Sequence, residues 1–233
     1  LYLQDQAGNF TTSNLELWQK DKRHEDLDAA FFDADQDGDL DLYIVSGGNE
    51  FLADSPSYQD RLYLNDGKGN FTKRNDLLPE IRISGSKVRP MDFDQDGDLD
   101  LFVGGRHTPW KYPEPTSSLL LKNEGGKFID ATADLAPDLQ GIGMINDAAW
   151  IDYDQDGWQD LVLLGEWTPL IILQNQKGTF KRADARNYLD KDSKGWWFSL
   201  EVADIDQDGD EDIIVGNLGL NYKYKASEKE PFE

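Results

Sequence analysis

Alternating aspartates recur four times along this chain. Each copy follows the pattern D-x-D-Q-D-G-x-x-D, and the copies begin at Asp33, Asp92, Asp152 and Asp204. The starts are therefore 59, 60 and 52 residues apart, a spacing that indicates a repeat architecture. A tight turn would bring the carboxylates at positions 1, 3 and 5 together, and the glycine at position 6 supplies the backbone freedom for that turn.

Oxygen ligands in this arrangement predict a calcium site in each loop. Calcium takes about 6–8 oxygen ligands, whereas magnesium requires a stricter octahedron and keeps more of its waters. Position 7 would add a backbone carbonyl, and the aspartate at position 9 would complete the site. We therefore predict about four Ca²⁺ ions as cofactors. The candidate ligands are Asp33, Asp35, Asp37, Asp39, Asp41, Asp92, Asp94, Asp96, Asp98, Asp100, Asp152, Asp154, Asp156, Trp158, Asp160, Asp204, Asp206, Asp208, Asp210 and Asp212.

Two other structures could carry such a motif, an EF-hand and a plain acidic turn. An EF-hand needs a bidentate glutamate at position 12 and helices on both sides of the loop. Position 12 is apolar in every copy: Ile44, Val103, Leu163 and Val215. The other alternative, a plain solvated acidic turn, fits a single motif better than four copies that all keep the ninth aspartate.

The segments around the acidic loops are predicted to form β-strands. A short apolar run follows each loop and predicts a buried strand. A second repeat, at residues 1–10, 62–71, 119–128 and 171–180, places a polar turn with glycine between an apolar run and a phenylalanine. That pattern predicts a β-hairpin. Each unit is thus expected to run strand, acidic loop, strand, variable loop, strand, hairpin turn, strand. A short helix is expected at about Thr132 to Leu135.

Four antiparallel strands per unit, repeated along the chain, predict an all-β fold of the β-propeller type. We expect a single domain over residues 1–233, with blade units at about 27–74, 87–132, 146–183 and 197–233, the last completed by 1–13. This is about four blades' worth of strands. The chain would either close as a four-bladed ring by pairing its ends or form an arc of a larger propeller. Leu1 and Glu233 look like cut ends, which favours the arc.

The two repeated motifs of the chain resemble those of a known family. The acidic loops and hairpins are similar to the FG-GAP or VCBS-type repeats that form the blades of integrin α-subunit propellers and of many secreted proteins. Three segments, Gly165-Glu166-Trp167, Gly195-Trp196-Trp197 and 216–221, resemble a bacterial branch of such proteins. The resemblance implies calcium in the loop between the first two strands of each blade. It also implies roles in cell adhesion or in binding carbohydrate or protein.

The charge of the chain excludes one class of partner, and its predicted calcium sites indicate where it works. The net charge is −23, from 46 acidic and 23 basic residues, and this argues against nucleic acid, which needs a basic surface. No apolar run has the roughly 18 residues that a membrane span requires. Low-affinity calcium sites suit compartments rich in calcium, so we expect an extracellular, cell-surface or periplasmic protein. No signal peptide is visible and the chain starts at Leu1 without Met, so we expect a mature or excised piece. The oligomeric state stays open.

The loops after the second strand of each unit would lie opposite the calcium loops. They cover residues 47–60, 104–117, 165–169 and 216–224 and combine aromatic rings with Arg, Asn and Glu. Such surfaces suit a protein or carbohydrate partner, although tryptophans that merely plug a central channel are an equal alternative. The candidate ligand-binding residues are Glu50, Arg106, His107, Trp110, Glu166, Trp167 and Asn217, and Phe51, Tyr112, Asn221 and Tyr222 lie among them.

The sequence favours a binding module over an enzyme. No G-x-S-x-G, H-E-x-x-H or phosphate-binding loop is present, and no catalytic constellation stands out. The alternative is a polysaccharide lyase or hydrolase on a propeller, with Glu50 and Glu166 as a carboxylate pair about 5–10 Å apart and His107 beside them. A lone histidine next to Arg106 is more often a hydrogen-bonding residue than a catalytic base. No catalytic residue is therefore assigned.

Overall fold

The computed structural model describes residues 1–13, 15–189 and 193–218. Sixteen strands are present in this part of the chain. They are β1 (Tyr2–Gln4), β2 (Phe10–Thr12), β3 (Asp26–Phe32), β4 (Asp41–Ser46), β5 (Arg61–Asn65), β6 (Phe71–Lys73), β7 (Gly85–Met91), β8 (Asp100–Gly105), β9 (Leu119–Asn123), β10 (Phe128–Asp130), β11 (Met144–Ile151), β12 (Asp160–Thr168), β13 (Ile171–Asn175), β14 (Phe180–Arg182), β15 (Gly195–Ala203) and β16 (Asp212–Asn217). Two α-helices, α1 (Leu15–Asp21) and α2 (Thr132–Leu135), and four short 3-10 helices, Pro56–Tyr58, Asn75–Leu77, Pro137–Leu139 and Ala185–Asn187, lie in the connections.

The strands pair in sequence order and antiparallel, as the repeat predicts. β3-β4-β5-β6 and β7-β8-β9-β10 form two four-stranded sheets, and β11 to β14 repeat the same order. β15 and β16 supply the first two strands of a fourth unit. The acidic loop joins the first strand to the second in each unit, and the glycine-containing hairpin joins the third to the fourth. The all-β, four-stranded antiparallel organisation is therefore confirmed.

The second strands of the three complete units, β4, β8 and β12, are almost wholly buried, because the sheets stack face to face. In β8, Leu101 and Val103 pack in one core cluster with Tyr43 and Val45 of the first sheet. Phe102, between them in sequence, belongs to the next cluster, with residues of the third sheet such as Leu161. Successive side chains of a strand point to opposite faces, so a continuous apolar run is what a strand between two neighbouring sheets requires.

First strands hold neighbouring sheets together through polar contacts. β7 contacts both β3 and β11, and β11 contacts β15. Each first strand is bulged near its start, between residues 26 and 28, 85 and 87, 145 and 147, and 197 and 199. Asp28 accepts a hydrogen bond from the Val88 amide (3.1 Å), and Asp147 accepts one from the Leu200 amide (3.0 Å). Arg89 donates to Asp147 (2.6 Å), which joins the second sheet to the third.

Some connections differ from the sequence-based expectation. The helix predicted at about Thr132 to Leu135 is confirmed, whereas α1 was not predicted. The assignment of residues 165–169 to a loop is wrong, because β12 continues to Thr168 and pairs with Trp196 and Gly195 of β15. The sequence analysis counts this segment among the irregular loops, but a neighbouring strand supplies hydrogen-bond partners to it. No described helix is long and apolar enough to cross a membrane.

Ring closure through the two chain ends is not seen in the described residues. β1 and β2 pair with each other and form a separate two-stranded sheet. Leu1, Leu17 and Trp18 pack against the outer face of the first sheet, next to Leu42 and Tyr63. The choice between a four-bladed ring and an arc, and the assignment of residues 1–233 to one domain, stay predictions.

Candidate functional site

The four acidic loops share one backbone geometry. In the first loop, Asp33 accepts hydrogen bonds from the amides of Asp37 (3.2 Å) and Gly38 (3.0 Å), and Asp37 accepts one from the Asp39 amide (3.1 Å). The same three bonds recur in the loops that begin at residues 92, 152 and 204. Gly38 has φ +92°, a conformation that glycine adopts at little cost. The carboxylates at positions 1 and 5 are thereby fixed.

Carboxylate oxygens converge in every loop. Three side chains per loop place one oxygen each within 4.8 Å of the others. The triplets are Asp33, Asp35 and Asp37; Asp92, Asp94 and Asp96; Asp152, Asp154 and Asp160; and Asp204, Asp206 and Asp212. The structure thus brings together the predicted residues at positions 1 and 3, with either position 5 or position 9. Position 7, occupied by Asp39, Asp98, Trp158 and Asp210, lies in the same turn and would contribute its carbonyl.

The ninth aspartate also fixes the loop to the third strand. Asp41 accepts from the amides of Ala34 (2.9 Å) and Asn65 (2.8 Å), one with each oxygen. Asp100 and Asp160 repeat this arrangement in their own units. Burial raises the pKa of Asp100 and of Asp160 to about 7, against the hydrogen bonds from backbone amides, which lower it. A bound cation would offset the cost of burying these charges.

The donor set fits a hard divalent cation such as calcium. Every side-chain donor is a carboxylate oxygen, the ligand type that calcium prefers. Asp39 Oδ1 and Asp94 Oδ1 are buried and have no hydrogen-bond partner in the described part of the chain. In the second loop the Lys122 ammonium contacts Asp94 and lies 3.2 Å from Asp96 Oδ2, so a positive group already occupies this position. Two buried carboxylate oxygens without a partner, and an ammonium drawn in among the carboxylates of the second loop, indicate that these loops attract positive charge.

Neighbouring loops are linked by amide side chains that the sequence analysis did not single out. Gln36 Nε2 donates to the Gly97 carbonyl (3.0 Å), and Gln95 Nε2 donates to the Gly157 carbonyl (2.9 Å). Asn123 Nδ2, at the end of β9, donates to the Ala34 carbonyl of the preceding loop (2.9 Å). Asn175 repeats this contact one unit later. The recurrence of glutamine at position 4 of each acidic loop, and of asparagine before the hairpin turns of the three complete units, was the available signal.

At the edge of the sheets opposite the acidic loops, four residues form one cluster: Arg106, Tyr112, Glu166 and Trp167. Arg106 Nε donates to Glu166 Oε1 (2.8 Å), and Nη2 donates to the same oxygen (2.5 Å). Tyr112 OH donates to Glu166 Oε2 (2.9 Å), and Trp167 Nε1 donates to Tyr112 OH (3.1 Å). Glu166 is only 1% exposed. A buried carboxylate with both oxygens engaged therefore orients an arginine, a tyrosine and a tryptophan at the surface.

Aromatic rings extend this cluster in one direction. The Trp167 ring lies 4.8 Å from Trp196, and Trp196 stacks on Phe198 at 6.2 Å with an angle of 20°. Trp167 is 36% exposed and Phe198 is 47% exposed. Together with Tyr112 these residues make an aromatic row beside the Arg106–Glu166 ion pair.

The remaining ligand-face candidates are placed less centrally. Trp110 is 65% exposed, and its indole Nε1 donates to the Phe51 carbonyl (3.0 Å), which places it beside the loop that carries Glu50. The Glu50 carboxylate pairs with Glu25, a contact that raises the pKa of Glu25. Asn217 lies at the end of β16, opposite Trp197. The other two residues considered, Asn221 and Tyr222, lie outside the described residues.

His107 is buried beside the cluster. It is 8% exposed, and its ring lies 6.2 Å from that of Tyr112. Burial and the positive charge of Arg106 lower the pKa of His107, against the effect of Glu166. His107 is thus held largely neutral at pH 7, which fits a packing role behind Tyr112.

Comparison with known proteins identifies the repeat. The family model of the FG-GAP-like repeat matches residues 33–103 and 152–215, more than half of the chain. Both matched segments contain acidic loops and the strands around them. No curated protein sequence matches the chain, and assignment to a bacterial branch stays a prediction.

A solved structure shares the fold. It is a lectin from Agrocybe aegerita, described as recognising non-reducing terminal N-acetylglucosamine, with 21% sequence identity and a TM-score of 0.52. The match covers 81% of this chain and 46% of the lectin chain, so this chain spans a little under half the length of that one.

Proposed function

Because the chain belongs to the FG-GAP-like repeat family, we propose that it is a calcium-stabilised binding module built as β-propeller blades. Calcium in the acidic loops would fix the turn between the first two strands of each blade. The opposite edge would bind a glycan through the aromatic row and the Arg106–Glu166 ion pair. Such a module would work outside the cytosol, where calcium is plentiful.

The propeller arrangement is supported by the way the sheets stack. Each sheet packs its face on the next sheet in chain order, as the three core clusters between successive units show. Contacts between first strands run β3 to β7, β7 to β11 and β11 to β15. Sheets that stack in order and converge along their first strands are typical of a radial arrangement.

The structural role of calcium is supported by the loop chemistry. Carboxylates whose oxygens lie within 4.8 Å repel one another unless a cation is bound between them. The loops already have their turn geometry, so calcium would add stability without building the turn anew. Metal that binds only the folded state stabilises it by mass action.

The single observation that carries the ligand assignment is the fixed orientation of Trp167. Its indole N–H is bonded to Tyr112, and Tyr112 is bonded to the buried Glu166. A pre-oriented ring loses little freedom when a ligand stacks on it. Sugar rings present apolar faces and hydroxyl groups, so they suit an aromatic row next to a guanidinium. The lectin of similar fold, described as recognising N-acetylglucosamine, supports a sugar as the ligand class.

An enzyme acting on polysaccharides remains the second candidate, and the hydrogen-bond geometry favours it less. Both oxygens of Glu166 accept hydrogen bonds from Arg106 and Tyr112, so both are already engaged within the protein, whereas a general acid or base must face the substrate. A protein partner would use the same exposed rings. The glycan assignment is preferred because the rings form a row and do not form a broad apolar patch.

Binding to a glycan array in calcium tests the proposal. Oligosaccharides ending in N-acetylglucosamine belong on the array, and bound ligands are then titrated by calorimetry. We expect Trp167→Ala to weaken binding by at least about tenfold, because it removes the stacking ring and the bond to Tyr112. Tyr2→Ala, which removes an exposed ring on the separate β1–β2 sheet, is the control and should bind normally.

Three outcomes would contradict the proposal. Binding that is unchanged in Trp167→Ala would exclude the aromatic row. Release of new reducing ends from a polysaccharide, lost in Glu166→Gln, would establish the enzyme. If the chain binds a protein ligand and has no affinity for any glycan, the assignment changes to protein recognition.

A further inference from the structure

The residue before each hairpin asparagine differs among the three complete units. It is Leu64 before Asn65, Lys122 before Asn123, and Gln174 before Asn175. The three positions are equivalent, because the backbone N–H of each asparagine donates to the ninth aspartate of its own loop. The side chain at this position contacts the acidic loop in the second and third units, and its chemistry differs in all three units.

Lys122 brings its positive charge into the second loop. Its ammonium contacts Asp94 Oδ2 and lies 3.2 Å from Asp96 Oδ2, and its side chain is 26% exposed. In the third loop the uncharged Gln174 Nε2 donates to Asp154 Oδ2 at 2.6 Å. In the first loop the apolar Leu64 packs in the core between the first two sheets.

An ammonium at this place has two opposite effects. It neutralises part of the repulsion among the carboxylates when no metal is bound, which stabilises the turn. It also repels a divalent cation that binds the same oxygens, since calcium lies only about 2.3–2.6 Å from its ligands. The Coulomb repulsion over such a short distance is weakly screened by salt. Calcium can therefore enter fully only when the lysine side chain moves away.

We propose that the four loops are not equivalent, and that Lys122 makes the loop from Asp92 to Asp100 an internally neutralised site with lower calcium affinity than the loop from Asp33 to Asp41. This inference rests on the proposed calcium role. It gives the second unit a stability that depends less on calcium. That unit also carries Arg106 and Tyr112, so the central part of the ligand face keeps its scaffold when calcium is low.

Calcium titration of the purified chain by calorimetry tests this inference, with the wild type and three variants. Lys122→Met keeps the length of the side chain and removes its charge. We expect the weakest site to gain at least about tenfold in affinity, because the repulsion is lost. Leu64→Lys places the same ammonium at the first loop and should weaken one tight site by a similar factor. Lys127→Met, on the exposed hairpin turn, changes the net charge equally and should leave all sites unchanged.

Melting in EDTA provides a second readout. Lys122→Met should melt at a lower temperature than the wild type in EDTA, since the carboxylates lose their internal counterion, and excess calcium should remove that difference. A wild type that binds no calcium would refute the proposed function itself. A wild type that binds calcium, with Lys122→Met identical to it in affinity and in EDTA melting, would refute only the assignment of Lys122.

Discussion

Removal of calcium is the perturbation that tests the account of the acidic loops most directly. Within residues 1–13, 15–189 and 193–218, three loops converge their carboxylates without an ammonium among them, namely those beginning at Asp33, Asp152 and Asp204. At a free calcium concentration of 100 times Kd, each filled site stabilises the folded state by about 2.7 kcal/mol. Three such sites together contribute about 8 kcal/mol, a large part of the roughly 5–15 kcal/mol that holds a typical domain folded.

This free energy converts into a large shift of the melting temperature. For a chain of this size, 1 kcal/mol changes Tm by about 2–4 °C, so excess EDTA should lower Tm by about 15–30 °C. The assay is a thermal melt followed by circular dichroism in calcium, in magnesium and in EDTA, with bound calcium measured in parallel. Magnesium should restore little of the loss, since its octahedral site does not match these loops.

A pair of variants separates metal binding from general charge effects. Asp35→Asn removes a ligand at position 3 and should lower Tm in calcium but not in EDTA, where one repelling charge is gone. Asp134→Asn removes an exposed carboxylate on α2 and should change neither melt. The reasoning is refuted if EDTA leaves Tm unchanged, if magnesium protects as well as calcium, or if Asp35→Asn destabilises equally in both conditions.

Three further outcomes are expected. Burial raises the pKa of Asp60 to about 7, well above the ordinary value of 3.8 for an aspartate. The folded state therefore binds this proton more tightly than the unfolded state does, and its stability falls as pH rises from about 4 to 7; urea unfolding of Asp60→Asn across this range should lack that component. Asn123→Ala leaves one buried and one part-buried carbonyl without their donor and should cost about 1–3 kcal/mol in urea unfolding, whereas a cost near zero would contradict the hydrogen bonds. Gln95→Ala removes an exposed loop-to-loop bond and should cost less than about 1 kcal/mol, with weaker calcium binding in calorimetry as its main effect.

The repeat itself could be predicted because its determinants are local. A glycine at position 6 and carboxylates at alternate positions specify the turn within a few residues, as the hydrogen bonds of Asp33 to Asp37 and Gly38 show. The apolar runs after the loops have the length and the burial of a strand between two sheets. The hairpins follow from their own turn residues. Strand order within a unit then needs no contact beyond the unit.

Contacts between units could not be predicted in the same way. The bond from Gln95 to Gly157 and the bond from Arg106 to Glu166 each join residues about 60 positions apart. Which side chain meets which depends on how one sheet rotates and shifts on the next, and the repeat pattern carries no signal for this. The extension of β12 to Thr168 has the same cause, since its partner strand belongs to the following unit.

The sequence by itself determined the acidic turns, the strands that flank them and the identity of the carboxylates that converge, because each depends on neighbours within one unit. Only the tertiary structure decided that Lys122 sits among Asp94 and Asp96, that the loops are joined by glutamine amides, and that Glu166 holds Arg106 and Tyr112. These contacts arise where separate strands and sheets meet, and their distances are set by the packing of whole sheets.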